Sequence, residues 1–166
     1  RSLVGSEMCI RDRSWANDSN SIFVHQKDQL KQHSVPSGQV LAKTAAKGRS
    51  RCAQLSPINQ LLAIGMDDRI EVFNARTLER VCTLFGHVEN VMELEWAPDG
   101  SRLGSRAKDG SILLWDVVRQ RQVCSVSLPS NVRCVSFEWS ADGRFLIGCG
   151  SDGRAYFLDG GESGGR

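Results

Sequence analysis

The sequence predicts an all-β protein in which similar four-stranded antiparallel sheets recur along the chain. Three observations support this fold class. Related segments return at a spacing of about 42 or 43 residues, apolar and polar residues alternate with period two inside each segment, and turn-forming residues separate the alternating runs. A fixed period of this length is typical of architectures built from equivalent repeated units.

The repeat is clearest in the first strand of each unit and in the turn that follows it. Residues 94–100 (LEWAPDG) recur 43 residues later as residues 137–143 (FEWSADG). The Asp-Gly pair at 109–110 recurs at 152–153 with the same spacing, and a weaker copy of the first segment occupies residues 55–57 (LSP). Because separate anchors agree on nearly one spacing, this part of the chain contains three copies of one unit.

Each copy is predicted to contain four short strands. In the clearest copy Met92, Leu94 and Trp96 point to one side while the intervening residues point to the other, which is the alternation of a strand with unequal faces. The turns and the third and fourth strands of this copy are predicted at residues 98–100, 108–110, 111–116 and 122–127. Four antiparallel strands per period of this length make one blade of a β-propeller.

One copy carries a signature that connects the chain to a known family. The Gly-His pair at 86–87, followed 28 residues later by Trp-Asp at 115–116, resembles the signature of WD-repeat proteins. The resemblance implies a β-propeller with a buried, hydrogen-bonded tetrad of His87, Ser105, Asp109 and Trp115. In the implied tetrad Asp109 orients the imidazole of His87, the serine hydroxyl bridges, and the indole N–H of Trp115 donates.

The tetrad is interpreted as structural. Buried polar groups need partners, and a closed hydrogen-bond network makes a blade rigid. His87 and Asp109 do not form a catalytic dyad in this interpretation, because the sequence places no nucleophile or second carboxylate beside them. We therefore expect no catalytic residues and no enzyme activity in this chain.

The neighbouring copies are degenerate. Residues 73–74 (FN) and 158–159 (LD) stand where the clearest copy has Trp-Asp, and residues 128–129 (LP) stand where Gly-His is expected. These copies keep the apolar pattern and the turns, so they are predicted to form blades without the full tetrad.

The predicted domain organisation has four parts. Residues 1–13 are interpreted as a translated sequencing adapter or a disordered tail, and residues 160–166 as a flexible Gly-rich tail. Residues 49–159 are predicted to form WD-repeat blades, whereas residues 14–48 are either a partial blade or a linker. With about three four-stranded blades and a partial one, the propeller is expected to be incomplete, because rings of this kind need roughly 4–8 blades.

The partial-blade alternative makes a specific prediction for residues 14–48. Residues 21–26 would align with residues 111–116 as a third strand, residues 39–42 would form the outer strand, and residues 26–37 would be an extended loop between them.

Composition excludes several classes of function. The net charge of +2 is too small for a nucleic-acid footprint, and no apolar run approaches the roughly eighteen residues of a membrane-spanning helix. The six cysteines include no CxxC pair and the three histidines are scattered, so we predict no metal site and no cofactor. Reduced, mostly buried thiols are expected, which favours the cytoplasm, with the nucleus as the alternative.

These expectations favour a non-catalytic scaffold or adaptor that binds other proteins or peptides in a larger complex. The resemblance implies that binding uses the loops before the first strand and between the second and third strands of each blade. The candidate residues in these loops are Arg49, Arg51, Asn90, Arg106, Lys108 and Arg133. Guanidinium groups suit an acidic or phosphorylated peptide; the alternative is a solvated rim without a partner.

Two other functions remain open. The chain could be the propeller portion of a larger multidomain enzyme, or part of a microtubule-associated protein. Turnover by the full-length protein that is lost on mutation within residues 49–159 would distinguish the enzyme alternative.

Overall fold

The computed structural model describes residues 13–126 and 128–159, and all regular elements in this part of the chain are β-strands. The predictions for residues 1–12 and 160–166 lie outside the described residues. In chain order the strands are β1 (Arg13–Trp15), β2 (Ser21–Gln26), β3 (Gln29–Ser34), β4 (Val40–Ala45), β5 (Cys52–Leu55), β6 (Leu61–Gly65), β7 (Arg69–Asn74), β8 (Arg80–Phe85), β9 (Val91–Trp96), β10 (Leu103–Ala107), β11 (Ile112–Asp116), β12 (Arg121–Val126), β13 (Cys134–Trp139), β14 (Phe145–Gly150) and β15 (Ala155–Asp159).

The strands form four antiparallel sheets in which sequence neighbours pair. Sheet 1 contains β1–β4, sheet 2 contains β5–β8, sheet 3 contains β9–β12, and sheet 4 contains β13–β15. The first strand of each sheet lies beside the first strand of the next, so the sheets are arranged like blades around a common axis. The predicted all-β propeller architecture is therefore confirmed, with three four-stranded sheets and one three-stranded sheet among the described residues.

The apolar core lies between consecutive sheets. Phe23 of sheet 1 packs in one cluster with Leu62 and Phe73 of sheet 2, and these side chains are at most 2% exposed. The corresponding cluster between sheets 3 and 4 contains Leu114 and Phe137. Alternation along each strand sends apolar residues into these layers, so burial of apolar surface holds the sheets face to face.

The repeated Asp-Gly turns adopt one conformation. Gly100 and Gly110 have φ values of 64° and 86°, a region that glycine enters without steric cost. The preceding carboxylates act alike, because Asp99 and Asp109 each accept a hydrogen bond at 2.9 Å from the backbone N–H two residues later. The turn signals in the sequence therefore mark real hairpins at the predicted positions.

Sheet 1 differs from the sequence interpretation. Residues 21–26 form a strand as expected, but it is the second strand of its sheet rather than the third. The predicted loop at 26–37 is wrong, because β3 (Gln29–Ser34) pairs with β2 on one side and β4 on the other. The physical reason lies in the β2–β3 turn, where Lys27 and Asp28 adopt positive φ values of 51° and 60°.

The described cysteines lie mainly in the strands. Cys52, Cys82 and Cys134 are buried, Cys124 is half-buried and Cys149 is exposed. Burial raises the pKa of the Cys82, Cys124 and Cys134 thiols, which makes them poor nucleophiles. These three side chains act as small apolar residues in the packing.

Close packing between sheets 3 and 4 depends on Gly104, which gives a first testable prediction. A Cβ atom at this position would lie 2.7 Å from Cε2 of Phe137. We expect Gly104→Ala to lower the free energy of unfolding by about 1–3 kcal/mol, because a buried aromatic ring would have to shift. Chemical denaturation measures the change. The Gly104→Ala, Phe137→Leu double variant should recover part of the loss; if the single variant is as stable as the parent, this packing is not tight.

Candidate functional site

The four side chains of the implied tetrad lie on the loop before sheet 3 (His87), on its two central strands (Ser105 and Trp115) and in the turn between those strands (Asp109). Ser105 is at the centre, since its hydroxyl accepts the indole N–H of Trp115 at 2.7 Å and lies 2.6 Å from Nε2 of His87. The imidazole and indole rings also meet edge to face, with centroids 6.2 Å apart. His87, Ser105 and Trp115 are all buried, so these three residues form one connected, enclosed network.

Asp109 takes a different place from the one the resemblance implies, because it is exposed in the β10–β11 turn and not buried with the other three residues. Its carboxylate accepts the backbone N–H of Ser111, and the Ser111 hydroxyl in turn lies 3.3 Å from Nδ1 of His87. The link from carboxylate to imidazole therefore runs through Ser111 instead of being direct. We refer to His87, Ser105, Asp109, Ser111 and Trp115 together as the polar cluster.

The polar cluster holds His87 as a neutral ring. Burial lowers the pKa of His87 to about 4, and this effect outweighs the opposing attraction of Asp109. Burial raises the pKa of Asp109, but hydrogen bonds from Ser111 and the interaction with His87 outweigh it, so the net change is a decrease. A neutral imidazole has one donor and one acceptor nitrogen, so it can bond to both serines at once.

Gly86 explains why the Gly-His and Trp-Asp pairs occur together. A Cβ atom on Gly86 would lie 2.9 Å from Cη2 of Trp115. A side chain at this position would therefore collide with the ring that completes the polar cluster. The two halves of the sequence signature are parts of one packing arrangement.

Sheet 2 has an apolar set at the equivalent positions. The residues that stand 41 or 42 positions before His87, Ser105 and Trp115 are Ala46, Ile64 and Phe73. All three are buried in one apolar cluster. Because apolar side chains need no hydrogen-bond partners, sheet 2 is packed without a polar network.

Two tryptophans make the same bond between successive sheets. The indole N–H of Trp96 donates to the backbone carbonyl of Gln54 at 3.1 Å, and that of Trp139 donates to the carbonyl of Glu95 at 3.1 Å. The recurrence of this tryptophan in the sequence therefore reflects a repeated attachment of each first strand to the sheet before it.

Five of the predicted binding residues lie in loops at the same end of the strands, and we call this surface the rim. They are Arg49, Arg51, Asn90, Lys108 and Arg133. The Lys108 backbone N–H donates to the Asn90 carbonyl at 2.9 Å, and Gly110 of the same hairpin packs against Arg133. Arg49, Lys108 and Arg133 are exposed, whereas Arg51 and Asn90 are half-buried. The rim thus presents three cationic side chains to solvent.

Arg106 is placed differently. Its Nε donates to Glu93 at 2.8 Å across the β9–β10 pair, and its side chain is only 13% exposed. Glu93 also accepts a hydrogen bond from the Ser136 hydroxyl of sheet 4 at 2.9 Å. Arg106 therefore pairs with Glu93 within sheet 3, Glu93 in turn connects that sheet to sheet 4, and the Arg106 guanidinium is not displayed on the rim.

Sequence reasoning missed Ser111 and Glu93. Ser111 could have been found from the Asp-Gly-Ser turn, because an Asp side chain regularly captures the N–H two residues on and fixes that residue beside the cluster. Glu93 carried no such signal, since pairing across strands depends on the register of β9 and β10.

A four-stranded propeller blade that encloses a His–Ser–Trp network is typical of proteins built from repeated blades. The model of the anaphase-promoting complex subunit 4 WD40 domain matches residues 53–138, and the model of the WD domain, G-beta repeat matches residues 122–159. The chain therefore belongs to the WD-repeat family, as the sequence resemblance implied.

Several relatives share the repeat region. The chain is 30% identical over 114 residues to retinoblastoma-binding-like protein E of Dictyostelium discoideum, a match covering 66% of the chain and 22% of that protein. It is 32% identical to WD repeat-containing protein 1 of Gallus gallus over 49% of the chain and 14% of the relative. A component of chromatin assembly factor 1 of Gallus gallus is 32% identical over 53% of the chain and 16% of its own length.

These matches span less than a quarter of each relative's length. Among residues 13–126 and 128–159, no helix has the length and apolar character needed to cross a membrane, and no group of His, Cys, Asp or Glu is arranged to hold a metal ion.

Proposed function

We propose that this chain is part of a non-catalytic scaffold that binds other proteins or peptides. The observation that carries the proposal is the contrast between the enclosed network of His87, Ser105 and Trp115 and the exposed rim. His87, the residue most suited to proton transfer, is 7% exposed and remains neutral, with both ring nitrogens facing serine hydroxyls. Its surroundings favour rigidity, and a rigid framework is what a binding surface made of loops requires.

The rim is proposed as the binding surface. Arg49, Lys108 and Arg133 are exposed cations at the starts of first strands or in the β10–β11 hairpin. An acidic or phosphorylated peptide fits this surface, because guanidinium groups bind carboxylates and phosphates through paired hydrogen bonds. A relative named for chromatin assembly supports a nuclear location as the alternative to the cytoplasm.

Charge reversal at the rim tests this proposal. Quantitative affinity capture with the full-length protein should show partners whose recovery falls about tenfold in an Arg49→Glu, Lys108→Glu, Arg133→Glu variant, because several charge contacts are lost together. A control Arg76→Glu, Arg144→Glu variant reverses the charge of two exposed arginines at the opposite ends of the strands. Partners retained by the rim variant, or lost equally from both variants, would count against the rim.

A further inference from the structure

A second candidate binding feature lies between sheets 1 and 2, in their outer halves. It is a cleft of 460 Å³ whose apolar wall is formed by Phe73 and Phe85 of sheet 2 and by Ala45 of sheet 1. Phe85, the last residue of β8, is 67% exposed. The cleft opens between β4 and β8, each of which is the edge strand of its sheet.

A buried carboxylate forms the floor of this cleft. Glu71 is 3% exposed, and its Oε1 lies 3.1 Å from Nε of Arg69 and 3.8 Å from Nη1 of Arg80. Its Oε2 is buried and has no hydrogen-bond partner. A buried carboxylate oxygen without a donor is a costly arrangement that a donor from a bound molecule would relieve.

The cations around the cleft are unequally satisfied. Arg69 is fully engaged, since it also bonds to Asp68 at 3.2 Å and to the backbone carbonyl of Lys47 at 2.6 Å. Arg80, by contrast, is 59% exposed and has only the long pair with Glu71. The Lys47 amino group has no ion pair among the described residues and is exposed. Uncompensated positive charge therefore lies beside the exposed ring of Phe85.

We propose that this cleft binds a peptide segment of a partner protein in which acidic residues alternate with apolar ones. The apolar side chain packs on Phe85, the carboxylates pair with Lys47 and Arg80, and a peptide N–H supplies the missing donor to Glu71. The positive charges of Lys47 and Arg80 favour an acidic peptide, and the exposed ring of Phe85 favours an apolar side chain beside the acidic ones. This site is separate from the rim and does not depend on binding there.

Synthetic peptides test the cleft directly. The probe is a fluorescein-labelled 12-residue peptide of repeated Glu-Phe-Asp-Leu, titrated with the full-length protein and followed by fluorescence polarisation. We expect saturable binding that weakens about tenfold in a Lys47→Glu, Arg80→Glu variant and by a similar factor in Phe85→Ala, because each change removes an anchoring contact. Lys47 and Phe85 are exposed, so Lys47→Glu and Phe85→Ala should keep the parent melting temperature. Arg80→Gln, which places no second carboxylate beside Glu71, is the folding control for the double variant and should also weaken binding.

The controls separate this site from general attraction to charge. A peptide with Lys in place of Glu and Asp, and one with Ser in place of Phe and Leu, should not bind, and Arg76→Glu should bind like the parent. The Lys108→Glu, Arg133→Glu rim variant, whose changes lie beside sheets 3 and 4, should also bind normally. Failure of the cleft proposal and failure of the rim proposal are therefore distinguishable. The proposal would be overturned if the cleft variants bound the acidic peptide as tightly as the parent does, or if the parent did not bind it. It would also be overturned if the parent bound single-stranded RNA as tightly as the acidic peptide.

Discussion

Replacing Trp115 with alanine is expected to lower the free energy of unfolding by about 3–5 kcal/mol, a larger loss than we expect from any other substitution proposed for this chain. The side chain is 2% exposed and packs in the core between sheets 2 and 3. Its removal would leave a large cavity, and it would also deprive the Ser105 hydroxyl of the indole donor at 2.7 Å. The cavity and the lost hydrogen bond both lower the free energy of unfolding.

Denaturant unfolding of the full-length protein measures this change, and two variants serve as controls. Trp15→Ala removes the same side chain from a position that is 59% exposed and should cost less than about 1 kcal/mol. Ser105→Ala keeps the indole but leaves two buried partners unsatisfied, so an intermediate loss of about 1–3 kcal/mol is expected. An unchanged melting temperature for Trp115→Ala would mean that the polar cluster does not stabilise sheet 3.

The repeated parts of the fold could be predicted because their physical causes are local and recur. The Asp-Gly turns require positive φ at Gly100 and Gly110, and the presence of glycine at these positions indicates the turns in the sequence. Trp96 and Trp139 recur because each donates to the carbonyl of the preceding first strand. A spacing of 43 residues between them therefore records a repeated contact as well as a repeated strand.

Sheet 1 could not be predicted in the same way. Its β2–β3 hairpin turns through Lys27 and Asp28, both with positive φ, where such a turn usually carries Gly or Asn. Without that signal the polar residues that follow resemble a loop. Their strand pairing becomes evident only when β2 and β4 supply partners on both sides, which is a tertiary effect that overrides local preference.

Four of the five members of the polar cluster were predicted from the sequence, but Ser111 and the connections between the side chains were not. The spacing of the signature places His87 and Trp115 near Ser105, whereas the position of the Asp109 carboxylate depends on the turn that it caps. That turn brings the Ser111 hydroxyl between Asp109 and the ring of His87. Side-chain hydrogen bonds of this kind are set by backbone geometry at the level of single rotamers, which residue spacing does not encode.

Lowering the pH from 7 to 4.5 is expected to remove stability through His87. The pKa of this ring is about 4 in the folded protein, below the ordinary value of 6.5 that applies when the chain unfolds. Between these two values the unfolded state binds a proton that the folded state does not, so the free energy of unfolding falls as the pH falls. The shift corresponds to about 3 kcal/mol over the whole interval and about 2 kcal/mol down to pH 4.5.

Glu95 acts in the opposite direction over the same interval. Burial raises its pKa from 4.5 to about 7, with further contributions from the neighbouring carboxylates of Glu138 and Glu93. The folded state therefore binds a proton that the unfolded state does not, and this contribution to stability grows as the pH falls from 7 to 4.5. Glu95 is half-buried and less enclosed than His87, so solvent screening makes its effect smaller than that of His87. The unmodified protein should consequently show only a shallow pH dependence.

A comparison of variants separates the two groups. Relative to His87→Gln, which cannot titrate, the parent protein should lose about 2 kcal/mol of unfolding free energy between pH 7 and pH 4.5, whereas Glu95→Gln should lose more stability than the parent over that range. Denaturant unfolding at several pH values measures both differences. Carboxylates with lowered pKa values, such as Asp99 and Asp142, lose their contributions only at lower pH and do not interfere. If the parent and His87→Gln follow parallel pH profiles, or if the His87 ring titrates near 6.5 by NMR, the ring is not held neutral by burial, and the polar cluster is open to solvent.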